Sequence, residues 1–207
     1  MKIIEPSAKI IAPIIGIEAL KHIEKCGRVA YKSEENITEE SYASFIKRII
    51  KSGHESVIEH ISVTANIICD RGVSHELVRH RIASYTQESS RYCNYSQNKF
   101  GNEISVIKPS FYENNELREI WENACEIAEL LYFQMLDSGA NPQDARSVLS
   151  NSLKTEIMMT TNLREWRHFF KLRCAKAAHP DMRIVANILL EEFKTKIPVI
   201  FDDITGE

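Results

Sequence analysis

The chain has 207 residues, of which 43% are hydrophobic, 27% charged and 8% aromatic, and it has no repeat or low-complexity tract, so fibrous and mainly disordered classes are excluded. Its net charge of −3 conceals an asymmetry, because residues 71–91 carry +2 and residues 146–183 carry +5, which leaves −10 for the rest. An acidic chain that gathers its cations into two segments is more typical of a protein that binds a compact anion than of one that coats a polynucleotide.

The first apolar run, residues 10–17, is broken by Pro13 and is too short for a signal peptide. No window approaches the 18 consecutive apolar residues that indicate a membrane-spanning helix. The five cysteines are widely spaced and form no C-x-x-C pair, which fits neither a disulfide scaffold nor a zinc knuckle. We therefore expect a soluble, cytoplasmic protein that contacts no membrane and holds no metal.

Residues 17–69 are predicted to form two helices, one turn and one strand. The helices are residues 17–25, ended by Gly27, and residues 39–51, with Thr38 as N-cap and Gly53 after the end. The capping-box spacing of Ser56 and Glu59 indicates a single helical turn. Strict alternation of apolar and polar residues over residues 61–69 predicts the clearest strand of the chain.

Residues 70–139 are predicted to contain two helices, a long loop and a strand. Asp70 is a candidate cap for a helix that extends through His80. Residues 84–98 are polar and are predicted to form a loop, and residues 104–107 are predicted to form a strand. The longest helix covers residues 116–137 and is closed by Gly139. Its apolar stripe consists of Leu117, Ile120, Trp121, Ala124, Ile127, Ala128, Leu131 and Met135.

The C-terminal part is predicted to alternate between helix and strand. Asn141-Pro142 is predicted to start a short helix, and residues 153–161 are predicted to form a strand. Asn162 is predicted to cap a helix that ends near Arg173, and residues 181–196 are predicted to form the last helix. The mixed order of elements predicts an α+β fold. At this length one hydrophobic core suffices, so we expect a single domain over residues 1–207.

The segment His75-Glu76-Leu77-Val78-Arg79-His80 superficially resembles the H-E-x-x-H motif of zinc proteases. Its second histidine stands at i+5, about 140° around a helix from the first, so one zinc ion cannot easily take both rings. We therefore exclude a metalloprotease.

Residues 79–92 combine three arginines and a histidine with hydroxyls and amides and almost no apolar side chain. One interpretation is a solvated surface loop. The other is an anion site, because the planar fork of arginine suits bidentate recognition of phosphate or carboxylate.

At these residues the sequence resembles the flavin-dependent thymidylate synthases, whose signature is R-H-R, seven residues, and S, followed shortly by R. Arg79-His80-Arg81 with Ser89 and Arg91 matches this signature. The segment from Gly53 to His60 resembles the family's G-H-x-[ST]-x-x-E-H motif. Further matches downstream are Arg146, Asn162-Leu163-Arg164, His168 and Leu172-Arg173.

The resemblance implies a homotetramer with an antiparallel sheet flanked by helices and with active sites shared between subunits. It also implies FAD as cofactor and the conversion of dUMP to dTMP, with 5,10-methylenetetrahydrofolate as carbon donor and NADPH as the reductant of the flavin. Neither nucleic acid nor metal is implied.

The resemblance implies these FAD contacts: Ser56, Arg79, His80, Arg81, Gln87, Asn162, Leu163, Arg164 and His168. It implies these dUMP contacts: Glu76, Leu77, Val78, Arg79, Gln87, Glu88, Ser89, Ser90, Arg91, Arg146 and Arg173. Arg173 matches the catalytic arginine that ionises the uracil ring at N3. Alternatively, Arg173 is a cation at the end of a helix that interacts favourably with the helix dipole.

Several positions admit a second role or depart from the family pattern. Ser89 is expected to hold phosphate rather than to act as a nucleophile, which would need an adjacent base. Cys93 and Cys174 are expected to be structural, because the flavin makes an enzyme nucleophile unnecessary. The departures are Glu76, Thr86-Gln87, His168 and His179, where individual contacts differ from those of the family.

Two other functions remain open. A nucleic-acid-binding module would use the same arginines on phosphates, but it is usually basic, whereas the isoelectric point here is about 6.2. A flavin oxidoreductase that acts on another substrate would differ only in the ligand beside the cofactor.

Overall fold

The computed structural model describes residues 1–11 and 16–206, so Pro13 lies outside the described residues. The helices are α1 (Ile17–Arg28), α2 (Ser41–Lys51), α3 (Arg71–Leu77), α4 (Asn115–Asp137), α5 (Pro142–Ala145), α6 (Leu163–Arg173) and α7 (Pro180–Lys196). The strands are β1 (Lys2–Ile4), β2 (Ser7–Ile10), β3 (Ser62–Asp70), β4 (Ser84–Gln87), β5 (Ser105–Ile107) and β6 (Lys154–Asn162). Among the described helices, none combines the length and apolar character that crossing a bilayer requires.

The strands form one antiparallel sheet of four strands in the order β2-β3-β6-β4 and one pair, β1 and β5. The pair is parallel, with Lys2 opposite Ser105 and Ile4 opposite Ile107. The α+β class, the antiparallel sheet and the single long helix are thereby confirmed. Strands β1 and β2 were not predicted, because three or four residues are too few for a periodic pattern.

The described residues divide into two compact units. The first comprises residues 1–7, 67–79 and 86–157, and the second comprises residues 8–66, 80–85 and 158–207. The core of the first unit consists of Tyr95, Ile104, Val106, Cys125, Tyr132, Ala145 and Leu153. That the two units form one domain over residues 1–207 stays a prediction.

The core of the second unit is built around an aromatic cluster from α6, α7 and the segment that follows α7. Its rings are those of Trp166, Phe169, Phe170, Phe193 and Phe201, with Trp166 and Phe193 only 4.9 Å apart between centroids. The indole Nε1–H of Trp166 donates a hydrogen bond to the carbonyl of Val63 on β3 at 3.1 Å. Ring contacts of this kind add to area burial, so one face of α6 is fixed against the core.

Gly27 does not end the first helix as the sequence predicts, because α1 continues to Arg28. A Cβ at Gly27 would lie 2.6 Å from Cζ of Phe45 and 2.8 Å from Cγ1 of Val57. The glycine therefore serves a close approach to α2 rather than a helix stop. Gly53, by contrast, does follow α2 with a left-handed φ of 71°, as predicted.

Two other predictions between Asp70 and Asn98 are wrong in their boundaries. Asp70 does cap a helix, accepting from the backbone N–H of Val73 at 2.8 Å, but α3 ends at Leu77 rather than at His80. Residues 84–87, predicted as loop, form β4. This strand lies at the sheet edge beside β6 only, so it needs little apolar character, and its residues alternate between exposed and half-buried.

The apolar stripe of α4 is only partly the face that packs inside the first unit. The buried residues of α4 are Cys125, Ala128 and Tyr132, whereas Ile120 is 65% and Ile127 48% exposed. We call the exposed set the α4 apolar face; its members are Leu117, Ile120, Ile127, Leu130 and Leu131. An exposed stripe of large aliphatic side chains on one helix is typical of an interaction surface.

Candidate active site

A cavity of about 500 Å³ in the second unit lies beside α6. It is lined by Glu55, Glu59, Ile82, Asn162, Arg164, Glu165, His168 and Lys171. Three of the predicted cofactor-binding residues, Asn162, Arg164 and His168, are thus brought together. Glu55, Glu59, Glu165 and Lys171 were not predicted as site residues, although Glu55 and Glu59 lie in the segment that resembles the G-H-x-[ST]-x-x-E-H motif.

The junction of β6 and α6 places these side chains. The Asn162 side chain accepts a hydrogen bond from the backbone N–H of Glu165 at 2.9 Å, which caps the helix as predicted. From this start, Arg164, His168 and Lys171 recur every three or four residues on one face. The aromatic residues Trp166, Phe169 and Phe170 lie on the buried side, so the cationic face is presented to the cavity.

The cations of this cavity are already paired with its acids. Arg164 donates to Glu59 at 2.6 Å, and Lys171 lies 3.6 Å from Glu55. Both cations are more than half exposed, so these pairs are weak and an entering anion can replace the carboxylates.

His80 connects the cavity residue Glu165 to Arg173. Its Nδ1 lies 3.2 Å from Oε1 of Glu165, and the Nε–H of Arg173 donates to its Nε2 at 3.1 Å. His80 is 5% exposed, and its ring packs edge-on against Phe169 with the centroids 5.0 Å apart. The backbone carbonyl of His80 accepts a hydrogen bond from the Tyr85 hydroxyl at 2.8 Å. Arg173, the predicted catalytic residue, is therefore anchored at the end of α6.

The protonation state of His80 follows from its surroundings. Burial lowers the pKa of His80 below its ordinary value, and the positive charge of Arg173 acts in the same direction. The hydrogen bond to Glu165 raises this pKa and only partly opposes the two effects. The imidazole is therefore neutral at physiological pH.

His80, Glu165 and His168 have one candidate ligand atom each within 4.8 Å of one another, the spacing of a metal site. Both ring nitrogens of His80 are already engaged, one by a carboxylate and the other by a guanidinium. A metal ion here would also face the charge of Arg173. The donor set therefore does not fit a metal, and the expectation of no metal stays a prediction.

The other predicted cofactor residues are placed differently. Ser56 lines a separate cavity of about 480 Å³, together with Arg28, Phe45 and His54. Arg81 is exposed. The side chain of Leu163 is fully buried in the core, so any contact that it makes with a cofactor falls to its backbone.

In the first unit, Ser90 and Arg146 come together as the resemblance implies. The Nη1 of Arg146 donates to Oγ of Ser90 at 3.1 Å, and both line a cavity of about 410 Å³. Arg71 lines the same cavity but was not predicted, because no family motif covered it. This hydroxyl and two guanidinium groups form a donor set that suits a phosphate group.

The remaining predicted substrate residues are divided between exposed and engaged side chains. Val78, Arg79 and Arg91 are exposed, and Glu76 and Ser89 are half-buried. The Gln87 amide donates to the hydroxyls of Ser74 at 3.0 Å and Thr155 at 3.1 Å. Glu88 pairs with Lys154 at 2.7 Å, and Leu77 is fully buried. The side chains of Gln87 and Glu88 are thus engaged by residues of the first unit, and their contacts with substrate stay a prediction, as do those of Leu77.

Burial makes the thiols of Cys93 and Cys174 poor nucleophiles in this fold. Burial raises the pKa of Cys174 to about 11 and also raises the pKa of the Cys93 thiol. Thiolates are the reactive form of cysteine, so both groups are inert at neutral pH. This agrees with the structural role expected for them.

The chain has an α+β fold, and each of its two compact units has a cavity whose lining includes arginine side chains. Residues 17–199 match the family described as Thymidylate synthase complementing protein. The chain therefore belongs to this family, which confirms the resemblance drawn from the R-H-R signature.

Curated relatives of this chain are named flavin-dependent thymidylate synthase. The protein of Pyrococcus furiosus is 40% identical over 80% of this chain and 68% of its own length. The protein of Geobacter sulfurreducens is 38% identical over 82% of this chain and 72% of its own length. The Clostridium tetani protein is 31% identical over 97% of this chain and 80% of its own. This chain thus spans about two thirds of the length of the Pyrococcus relative.

A solved structure shares the fold. It is the UMP/dUMP methylase PolB from Streptomyces cacaoi bound with 5-Br dUMP, which superposes with a TM-score of 0.80 at 23% identity. The match covers 98% of this chain and 96% of that chain, so the architecture is common to both proteins throughout.

Proposed function

We propose that this protein is a flavin-dependent thymidylate synthase, which converts dUMP to dTMP with FAD as cofactor, 5,10-methylenetetrahydrofolate as carbon donor and NADPH as reductant. The names of its curated relatives support this activity. The structural observation that carries it is the Arg173 guanidinium, half-buried and held by His80 in the unit whose cavity is lined by the α6 cations.

The α6 cavity fits FAD by the chemistry of its donors. Asn162, Arg164, His168 and Lys171 offer an amide, a guanidinium, an imidazole and an ammonium group. These groups suit a cofactor that carries a pyrophosphate and a hydrogen-bonding ring system. Bound FAD would supply the hydride that reduces the transferred carbon.

Arg173 is proposed to activate the pyrimidine ring. Deprotonation of uracil at N3 creates an anion, and a guanidinium that is charged at every physiological pH stabilises it better than a neutral donor. Because His80 holds the guanidinium in place, little reorganisation is needed when this charge develops.

The phosphate of dUMP is proposed to bind in the cavity of the first unit. Ser90 and Arg146 are hydrogen-bonded to each other there, and Arg71 lines the same wall. Bidentate contacts from two guanidinium groups would offset the phosphate charge. The exposed Arg91 and the Ser89 hydroxyl, at the end of the R-H-R signature, are the further candidates that the family pattern implies.

The active form is proposed to be a homotetramer in the cytoplasm. The α4 apolar face supports self-association, because it exposes large aliphatic side chains that the first unit does not cover. The five cysteines, all unpaired, suit a reducing compartment.

The proposal is tested with the purified protein. We expect flavin absorbance that survives desalting or returns with added FAD, and NADPH oxidation coupled to dTMP formation when dUMP and methylenetetrahydrofolate are present. A protein that takes up no FAD would overturn the proposal. Flavin turnover that dUMP does not alter would indicate an oxidoreductase for another substrate, and steep salt-dependent binding to DNA would favour the nucleic-acid module.

A further inference from the structure

We propose that Glu165 is a positioning residue, which acts through the His80 ring to orient the Arg173 guanidinium for the proposed activation of dUMP. This inference rests on the proposed function and deepens it, because no motif of the sequence covers Glu165. The three side chains form a continuous hydrogen-bonded series, with 3.2 Å from carboxylate to imidazole and 3.1 Å from imidazole to guanidinium.

The direction of each hydrogen bond is fixed by chemistry. A guanidinium has donors only, so Nε2 of His80 must accept from Arg173 and cannot carry a proton. The ring proton therefore resides on Nδ1, from which it is donated to the Glu165 carboxylate, an acceptor. Glu165 thus selects the tautomer that can hold Arg173.

Loss of the carboxylate would remove this selection. Only the Nε–H of Arg173 would then favour the proton on Nδ1, so the Nε2–H tautomer, which aims a donor at that N–H, would become populated. Two opposed donors cannot form a hydrogen bond, so the guanidinium would be released from the ring. Arg173 is the last residue of α6, where backbone constraints are weakest, so the hydrogen bond to His80 contributes to the orientation of its side chain.

The ring itself is well fixed, so it can transmit the effect. His80 is packed edge-on against Phe169 at 5.0 Å and lies 5.8 Å from the His168 ring. The backbone of Glu165 is fixed as well, since its N–H donates to the Asn162 cap. Substitution of the Glu165 side chain leaves this cap bond intact, and the fold of α6 should therefore survive.

Steady-state kinetics test the role in catalysis. Glu165→Ala is expected to lower kcat for dTMP formation by about 10- to 100-fold, as for a small misplacement of a reacting group, while the KM for dUMP changes by less than about threefold. Glu165→Gln, whose amide oxygen can still accept from Nδ1–H, is expected to recover much of the loss. The control is Glu191→Gln, an exposed glutamate on α7, which should behave as wild type.

A double-mutant cycle tests whether Glu165 acts through Arg173. In an Arg173→Lys background, Glu165→Ala is expected to cause no further loss, because the group that it positions is already gone. If the wild type is active and the losses of kcat caused by the two substitutions multiply in the double variant, this inference is overturned but the proposed function is not. A wild type that forms no dTMP would overturn the proposed function and this role with it.

Nitrogen-15 NMR of the protein without flavin gives a readout that does not depend on activity. At pH 7.5 we expect His80 to be neutral with the proton on Nδ1, and Glu165→Ala to shift the proton toward Nε2. An Nε2–H tautomer in the wild type, or an unchanged tautomer in Glu165→Ala, would contradict the proposal whatever the kinetics.

Discussion

The guanidinium of Arg167 and the carboxylate of Asp203 form a two-point ion pair, with Nη1 to Oδ1 at 2.6 Å and Nη2 to Oδ2 at 2.7 Å. Arg167 is almost completely buried in the middle of α6, and its Nε donates to Glu55 at 3.1 Å. This pair attaches the helix that carries Arg173 to the C-terminal segment of the chain. The position of the proposed catalytic group therefore depends on two residues that do not line the α6 cavity.

Replacing Asp203 by asparagine should destabilise the fold by about 1–3 kcal/mol at pH 7, because the buried guanidinium loses its best partner. The hydrogen bond to Arg167 lowers the pKa of Asp203 below its ordinary value of 3.8. The stabilisation by the carboxylate is therefore complete above that value and is lost as the pH falls through the lowered pKa.

Urea unfolding of wild type and Asp203→Asn at pH 7 and across the acid range measures both effects. The difference between the two proteins should shrink as the pH falls below 3.8. If the difference in unfolding free energy grows toward acid pH, another group is responsible. Glu191→Gln is the exposed control, and its unfolding free energy should change by no more than about 0.5 kcal/mol.

Arg173→Lys should lose dTMP formation by at least about 100-fold, because an ammonium has neither the fork nor the Nε–H that meets His80. Flavin binding should persist, since the α6 cavity keeps Asn162, Arg164 and His168. The measurement is dTMP by chromatography beside the flavin spectrum of the same preparation. Normal turnover in this variant would remove Arg173 from the chemistry.

Gly27→Ala should destabilise the protein by about 1–3 kcal/mol despite the higher helix propensity of alanine, because the new methyl group meets Phe45 and Val57. Thermal unfolding measures the loss. In a background that carries both Phe45→Leu and Val57→Ala, where the two side chains that meet the methyl group are shortened, the same substitution should cost much less. An equal cost in both backgrounds would contradict the steric explanation.

Ile120→Lys combined with Ile127→Lys should reduce the size of the assembly by placing two charges on the α4 apolar face. Both side chains are about half exposed or more in the single chain, so the helical circular dichroism should stay unchanged. Light scattering after size exclusion gives the mass. The matched control is Glu126→Lys on another side of the same helix, and an unaltered mass for the double variant would exclude this face as a subunit contact.

Local sequence signals predicted the start, end and buried face of α6 correctly, but they did not predict which side of α4 is buried. Asn162 as cap, Arg173 as last residue and the apolar spacing between them are all local features, and the structure confirms them. Periodicity also found the apolar stripe of α4, but it cannot distinguish a face that packs inside the chain from one left exposed. Tyr132, which is buried, lies outside the predicted stripe, whereas Ile120, which is exposed, lies within it.

Residues of the candidate site were predicted only where motifs covered them. Arg173, His168 and Asn162 matched family positions, whereas Glu165 and Arg71 matched none. Their importance comes from partners distant in sequence, since Glu165 meets His80 across 85 residues. Contacts of that range depend on the completed fold, which no local pattern encodes.

Alpha helix α6 turns an aromatic face to the core and a cationic face to the cavity. Random substitutions that impair growth without external thymidine should therefore include Phe169 and Phe170 as often as the arginines. Such alleles should fail at high temperature and recover on cooling, because they loosen the support of the helix while leaving its charged groups chemically intact.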